Sequence, residues 1–277
     1  MNTKPHNPHH AVSERSAAGT ASGRVYSGLQ PSQRTQERYE KFIDAGIEVF
    51  GTVGYAASKI KTLCQSAGLS ERYFYESFDS REHLLTCVYE RVSANLMQQV
   101  TAALQNPEAE APDAIRDSLA AVVNYMLGDP RHAQIILVEI VGISDELEAK
   151  RHLAMTNFAG QSMGALLIMG GIESRVVKQV LGGGLGGQGR GFAHRVGARL
   201  VDPSHPLAEA LEFARLTAIS MVGGVNNMLL DAVLGGTTSN VEKILEVSYQ
   251  LMWNASSGVR TLAGATAVDE AQVTPAT

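Results

Sequence analysis

Apolar side chains recur at helical spacing along most of the chain, and two stripes near the N-terminus are the clearest. The first lies in residues 32–53 and is formed by Tyr39, Phe42, Ile43, Gly46, Val49 and Phe50. The second lies in residues 80–104, at Leu84, Val88, Val92, Leu96 and Val100. Spacings of three and four residues place side chains on one face of an α-helix. The pattern therefore predicts a first helix over 32–53 and a long fourth helix over 80–104.

Between these helices the sequence predicts two short helices joined by a tight turn at Ala67, Gly68 and Leu69. Gly54 indicates the end of the first helix, because glycine accepts the left-handed backbone that follows a helix end. Ser58 and Ser70 stand where a side-chain oxygen can cap the two short helices. This order is typical of a helix-turn-helix unit, in which one helix braces the next in the major groove of DNA.

The second short helix, predicted over residues 71–77, has an apolar and a polar face. Phe74 and Phe78 face inward, whereas Glu71, Arg72, Tyr73 and Tyr75 point outward, with Ser70 at the start. An ordinary helical hairpin with an aromatic core is the alternative interpretation. The agreement of the turn, both caps and the outward Arg and Tyr residues favours a DNA-reading helix.

This region resembles the N-terminal signature of the tetracycline-repressor (TetR) family over about fifty residues, from 38 to 88. The matching residues are Phe50, Gly54, Tyr55, Ser58, Ile60, Leu63, Ala67, Gly68, Leu69, Ser70, Phe74, Tyr75, Phe78, Ser80, Arg81, Glu82, Leu84 and Leu85. The resemblance implies an all-α homodimer that binds a palindromic DNA operator and releases it when a small molecule binds. Tyr73 and Ser77 depart from the residues usual in the family, and this leaves the DNA sequence open.

Within the helix-turn-helix unit we expect two kinds of DNA contact. Arg72 and Tyr73 are predicted to touch base edges, because they point outward from a helix only two turns long. Lys59, Tyr75 and Arg81 are predicted to contact phosphates, with Arg81 in place of the usual lysine. Ser70 and Glu71 complete the predicted DNA-binding residues.

A break at residues 106–112, with the sequence NPEAEAP, marks the predicted end of the DNA-binding domain. The predicted domains are a disordered tail over 1–31, a DNA-binding domain with its linking helix over 32–105, a ligand-binding and dimerisation domain over 106–262, and a disordered tail over 263–277. The second domain is predicted to be helical, because its sequence shows no clear alternation of apolar and polar residues of the kind typical of strands.

Helices over 113–127, 131–141 and 145–169 are rich in Met, Phe, Leu and Ile, and we expect them to enclose a cavity for a mostly apolar small molecule. The predicted lining residues are Tyr125, Met126, Glu139, Phe158 and Met163. Glu139 and Tyr125 are the expected polar anchors. Apolar residues at helical spacing also form ordinary cores, so solid packing of this region is the alternative.

Two further amphipathic stretches, over 207–234 and 239–255, are predicted to form a four-helix dimer interface with the same helices of a second copy. The predicted interface residues are Leu211, Met221, Val225, Leu229 and Leu245. The alternative is that these apolar stripes serve only the core of the chain itself.

The composition excludes some classes of function but does not identify one. The net charge of −5 excludes a protein that holds DNA by overall positive charge, so DNA binding must depend on local placement of Lys and Arg. Cys64 and Cys87 stand at apolar positions, as small buried side chains in a reducing compartment do. The sequence has no uninterrupted run of about eighteen apolar residues, so it predicts no membrane-spanning helix. It also lacks the apolar stretch typical of a secretory signal near the N-terminus. We therefore expect a cytoplasmic protein with no membrane partner.

An enzyme is the second class of function, and its candidate site is either the glycine-rich, basic loop within residues 174–201 or an acid–base pair. This loop lacks the Lys-Ser or Lys-Thr of a phosphate-binding loop, and no strand precedes it. We find no catalytic residues, no metal site and no cofactor motif in the sequence. A DNA-binding regulator without a ligand is the remaining alternative to a ligand-responsive one.

Overall fold

The computed structural model describes residues 31–106, 108–181, 205–235 and 241–273, and all regular structure in these ranges is helical. The predicted all-α fold is therefore confirmed. The helices are α1 (Pro31–Thr52), α2 (Ile60–Ala67), α3 (Glu71–Tyr75), α4 (Arg81–Leu104), α5 (Ala111–Gly128), α6 (Pro130–Gln134), α7 (Asp145–Met169), α8 (Ser174–Leu181), α9 (Ala208–Leu234) and α10 (Val241–Val273). A π-helical turn, Ile135–Glu139, lies between α6 and α7.

The chain divides into two units, Met1–Glu37 and Arg38–Thr277. The first unit contributes only the beginning of α1 to the described residues, so the predicted disordered tail lies almost wholly outside them. The second unit contains the helix-turn-helix region and all later helices. The predicted boundary at residues 106–112 falls inside this unit, between α4 and α5, and stays a prediction.

The helix-turn-helix region has the predicted order, with two local differences. Gly54 and Gly68 both have a positive φ, of 87° and 63°, as the two turns require. Ser58 does not cap α2, because that helix begins later and Lys59 is its N-cap. The buried Ser58 hydroxyl instead donates a hydrogen bond of 2.8 Å to the Tyr55 carbonyl. Ser70 is the N-cap of α3, but its side chain makes no capping hydrogen bond.

The core of this region packs α1 directly against α4. Phe42, Phe50, Leu84 and Val88 are fully buried there, together with residues of α2 and α3. Gly46 permits this packing, because a Cβ at that position would lie 2.6 Å from Val88 Cγ2. The same apolar cluster continues into the π-helical turn and the start of α7, through Ile135, Ile140 and Leu147.

The later helices form a bundle in which α4 packs on α5, while α9 packs on α7 and on α10. Two apolar clusters fill it, one around Met163, Leu166 and Leu211 and one around Met126, Leu127 and Leu229. Helix α10 continues to Val273, beyond the predicted end near residue 255 and into the predicted tail over 263–277. The sequence of residues 262–273 contains no proline that would stop the helix.

Of the described helices, α9 alone is long and apolar enough to cross a membrane by length and composition. Many of its apolar residues instead pack inside the protein. Leu211, Ala214, Ala218 and Leu229 are buried against neighbouring helices, as in the core helix of a bundle.

Candidate functional site

Helix α3 is held from behind by aromatic side chains. Phe74 and Phe78 are buried, and their rings pack edge-on against Phe42 with centroids 5.4 Å and 6.0 Å away. Tyr39 stacks on Phe78 with centroids 5.1 Å apart. A helix of five residues is too short to be stable alone, so this aromatic packing fixes its position. The side chains on its opposite face therefore project from a rigid support.

The opposite face of α3 carries the residues predicted to read DNA, and all of them are exposed. Ser70, Glu71 and Arg72 are exposed, and 85% of the Arg72 side chain is accessible to solvent. Its Nε donates a hydrogen bond of 3.1 Å to Glu76 Oε1. An exposed pair of this kind contributes little to stability, so Arg72 can exchange Glu76 for a base edge at small cost.

The two exposed tyrosines of α3 have different surroundings. The guanidinium of Arg38 lies 4.6 Å from the ring centroid of Tyr73 and forms an ion pair of 3.7 Å with Glu76. Tyr75 is 57% exposed and only touches Phe74 edge-on. Arg38 therefore adds a positive charge beside α3. The sequence indicates a cation at Arg38 on the first helix, but its place beside Tyr73, 35 positions later, is visible only in the folded structure.

Of the two basic residues predicted to contact phosphates, only Lys59 lies exposed at the N-terminus of α2. Arg81 is half-buried and is used inside the protein. Its Nη1 donates hydrogen bonds to the carbonyls of Tyr55, at 2.9 Å, and Ser58, and its guanidinium stacks 4.1 Å from the Tyr55 ring centroid. Arg81 thus fastens the loop between α1 and α2 to the start of α4.

Glu139, predicted as a polar anchor for a ligand, belongs to a different site. Its Oε2 accepts a hydrogen bond of 2.6 Å from the backbone N–H of Tyr55, and its Oε1 accepts one of 2.6 Å from Gln134 Nε2. A Cβ at Gly54 would lie 3.3 Å from the same carboxylate. The π-helical turn therefore contacts the loop that follows α1, across 84 residues of sequence.

A second contact between these regions involves Arg131 of α6. Its guanidinium bonds to Asp129, at 2.6–3.2 Å, and also to Glu48 of α1. The side-chain hydrogen bond with Arg131 lowers the pKa of Asp129. A Cβ at Gly51 would lie 2.4 Å from Arg131 Cβ, so α6 lies directly on the end of α1.

A cavity of about 290 Å³ lies among α4, α5, α7 and α9, with the π-helical turn on one side. Met126 and Phe158 line it as predicted, whereas Tyr125 and Met163 do not. Tyr125 stacks on His132 with centroids 4.2 Å apart, and Met163 is fully buried in the core. The other apolar lining residues are Leu96, Leu119, Val122, Ile136, Leu137, Ala154, Met155, Met221, Val222, Val225, Leu230 and Met252.

The cavity also has polar lining residues: Tyr89, Ser93, Arg151, Ser162, Asn226 and Asn227. Burial raises the pKa of Tyr89, so this phenol stays neutral. Arg151 places Nε and Nη2 on Glu148 Oε2 at 2.9 Å and 2.8 Å. The Gly142 N–H and Arg151 together lower the pKa of Glu148. The charge of Arg151 is therefore already balanced by its own helix.

The predicted dimer residues are mostly used inside the chain. Leu211, Val225 and Leu229 are buried in the bundle, Met221 lines the cavity, and Leu245 is half-buried. A separate set of large apolar side chains on α9 and α10 faces outward. These are Phe213, Leu216, Ile219, Leu251 and Trp253, each 37–52% exposed.

The two remaining sequence predictions concern the Gly-rich loop and metal binding. The loop lies outside the described residues from 182 onward. Within the described ranges, no group of three or more His, Cys, Asp or Glu side chains is placed to hold a metal ion.

Comparison with known proteins agrees with this geometry. Residues 42–87 match the profile of bacterial regulatory proteins of the tetR family, and this range covers α2, α3 and parts of α1 and α4. The HTH-type transcriptional repressor NicS of Pseudomonas putida is 24% identical over 140 residues. That alignment spans 50% of this chain and 64% of NicS.

Solved structures share the overall fold at low sequence identity. The fatty acid degradation regulator FadR from Bacillus halodurans is 13% identical, with a TM-score of 0.55 over 76% of this chain and 94% of that one. FadR from Bacillus subtilis in complex with stearoyl-CoA is 17% identical, with a TM-score of 0.50 over 76% and 97%. At such identities the likeness concerns the fold alone.

Arg81→Ala is predicted to destabilise the protein by about 1.5–3 kcal/mol, because the variant loses charge-assisted hydrogen bonds to two loop carbonyls. Urea denaturation measures this change as a lower midpoint. Lys59→Ala is the matched control, since it removes an exposed cation and should stay within about 0.5 kcal/mol of wild type. Equal stabilities of the two variants would contradict the internal role of Arg81.

Proposed function

The chain belongs to the tetR family of bacterial regulatory proteins, and we propose that it is a ligand-responsive transcriptional repressor. In this proposal a homodimer binds a palindromic DNA operator in the cytoplasm, and a mostly apolar small molecule releases it. The main observation behind the proposal is the exposed face of α3. Its polar and aromatic residues stand on a buried aromatic support, as expected of a helix that enters the major groove.

The charge distribution supports reading DNA by local contacts. The net charge is −5, so the long-range attraction of the whole protein to DNA is weak. Attraction to the DNA phosphates must therefore come from the cations beside α3. Arg38, Lys59 and Arg72 lie on or next to the helix-turn-helix unit. We propose that Arg72 and Tyr73 contact bases, and that Lys59 and Tyr75 contact phosphates beside Ser70 and Glu71. Arg81 then acts by holding the loop in place.

The π-helical turn supports coupling between ligand and DNA. Ile136 and Leu137 line the cavity, while Glu139, two residues after Leu137, accepts a hydrogen bond from the N–H of Tyr55 in the loop that follows α1. π-Helical turns are rare and are frequently found at functional sites. A ligand that moves this turn changes a direct hydrogen bond to the DNA-binding region. Release of DNA requires that the ligand bind better to the released arrangement.

A dimer is proposed because a palindrome presents two half-sites to a helix-turn-helix protein. The interface we propose is centred on Leu216 and Ile219, which are both exposed and lie three residues apart on one side of α9. Large apolar side chains this exposed and this close in sequence are typical of a surface that a partner covers. This surface replaces the buried residues Leu211, Val225 and Leu229 of the sequence-based interface.

A regulator that binds DNA without a ligand remains the second candidate function. The cavity favours the ligand-responsive form, because about 290 Å³ of apolar-lined space lies where helix packing alone would be solid. The described residues offer less support for an enzyme. Their polar groups in the cavity do not form a nucleophile, a base and an oxyanion site in hydrogen-bonding order.

Arg72→Ala is predicted to weaken binding to the operator by about 1–3 kcal/mol and to relax base preference at one position of each half-site. Fluorescence anisotropy with DNA from upstream of the gene measures the affinity, and selection from a randomised operator measures the preference. Lys59→Ala should instead weaken all DNA alike and reduce the slope of the salt dependence by about one. An Arg72→Ala variant with unchanged base preference would show that this face does not read bases.

Glu139→Ala is predicted to uncouple ligand from DNA, reducing a coupling of about 1–3 kcal/mol towards zero. Ligand affinity without DNA should change little, because Glu139 does not line the cavity. Calorimetry with and without operator measures the coupling, using a ligand found by thermal-shift screening of apolar metabolites. Glu146→Ala, which removes an exposed carboxylate elsewhere, is the control. Full ligand-dependent release by Glu139→Ala would rule out this route.

Leu216→Asp is predicted to convert a dimer into a monomer, since an unpaired carboxylate in a dry interface is costly. The single subunit should stay folded, because Leu216 is 52% exposed within it. Sedimentation at micromolar concentration measures the mass, and circular dichroism checks the fold. Val141→Asp changes an equally exposed apolar residue outside the proposed surface and should leave the dimer intact. Dimers of unchanged affinity in Leu216→Asp would place the interface elsewhere.

A further inference from the structure

A second, smaller cavity of about 40 Å³ adjoins the first. Five residues line both cavities: Leu119, Val122, Phe158, Ser162 and Met252. The smaller cavity continues past Phe158 towards Val100, Leu104 and Ala165, deeper among α4, α5 and α7. The two spaces therefore share a wall and together outline an elongated site, with the smaller cavity as its deep end.

The deep end contains a buried polar side chain whose hydrogen bonding is incomplete. Gln161 lines the smaller cavity and is only 3% exposed. Its Nε2 donates to Met97 Sδ at 3.1 Å, which is a weak acceptor, whereas no partner in the described residues donates to its Oε1. A buried amide oxygen without a donor is costly, so the fold keeps Gln161 against its own stability.

Two other polar groups along this site have partners within the chain. The hydroxyl of Ser118, which also lines the smaller cavity, donates to the Ile115 carbonyl at 2.7 Å. At the other end of the site, Arg151 is paired with Glu148. Of the buried side-chain atoms that line the two cavities, Ser93 Oγ and Gln161 Oε1 lack a partner in the described residues, and only Gln161 Oε1 lies in the smaller cavity. A serine hydroxyl can donate or accept, whereas the Gln161 oxygen can only accept, so the deep end specifically requires a hydrogen-bond donor and not an anion.

We propose that the effector is an elongated, mostly apolar molecule that fills both cavities and donates a hydrogen bond from a terminal hydroxyl or N–H group to Gln161 Oε1. This inference rests on the proposed function, in which the larger cavity is the effector site. Arg151 and Gln161 lie ten residues apart on α7, so the helix alone places about 15 Å between them. The apolar walls bind the length of the molecule, and Gln161 selects its end.

The test compares decanol with decyl methyl ether, which keeps the chain but has no donor, by calorimetry on the full-length protein. Wild type should bind decanol about tenfold more tightly than the ether, because the ether leaves Gln161 Oε1 without a donor. In Gln161→Leu the two probes should bind within about twofold of each other. The same variant should melt at a higher temperature, since it no longer buries an unsatisfied amide.

Gln250→Leu is the control, because it makes the same change at an exposed amide that lines neither cavity, and it should keep the preference for decanol. Equal binding of alcohol and ether by wild type would overturn the proposal, as would a preference that survives in Gln161→Leu. Equal binding would also be the result if the amide were turned to present its N–H group. Tighter binding of decanoate that depends on Arg151 alone would place the polar end of the ligand beside Arg151 and not beside Gln161.

Operator binding is measured separately, so that the two proposals can fail independently. Selective decanol binding without release of DNA would leave the inference about Gln161 intact and contradict ligand-responsive repression. Release of DNA by a ligand that binds Gln161→Leu and wild type equally would support ligand-responsive repression and contradict the inference about Gln161.

Discussion

A five-residue helix is not stable alone in water, and the face that we propose reads DNA stands on such a helix. Its stability comes from Phe74 and Phe78, which insert behind it into a cluster with Tyr39 and Phe42. The same cluster is continuous with α4 and with the π-helical turn. The position of every exposed side chain on α3 therefore depends on aromatic packing that extends well beyond the helix-turn-helix unit.

This continuity means that the DNA-binding region and the cavity share a physical boundary. The π-helical turn presents Ile136 and Leu137 to the cavity and Glu139 to the backbone of Tyr55. Arg131, one turn earlier, spans Asp129 and Glu48. A short segment thus contacts both sites, which is the arrangement that lets a local shift at one site alter hydrogen bonds at the other.

Polar side chains in this protein act mainly by holding neighbouring groups in position, and less by attracting DNA or a ligand. Arg81 uses its guanidinium to bind two loop carbonyls and an aromatic ring, although its position in the sequence suits a phosphate contact. Arg151 is neutralised by Glu148 before any ligand arrives. Gln161 has the opposite character, because its amide is buried with one oxygen unsatisfied. Incomplete hydrogen bonding in a dry site marks the place where a ligand can add most to binding.

The sequence by itself determined the all-α fold, the order of the helix-turn-helix helices and the outward face of α3, because these depend on local periodicity and on glycines with positive φ. It also placed Met126 and Phe158 at the cavity. Only the tertiary structure decided which apolar stripe faces the core, so Leu211 and Leu229 are internal while Leu216 and Trp253 are exposed. Periodicity shows that a helix has an apolar face but not what covers it. The partners of Glu139 and Arg81 were equally hidden, since hydrogen bonds across 84 and 26 residues leave no pattern in a single sequence.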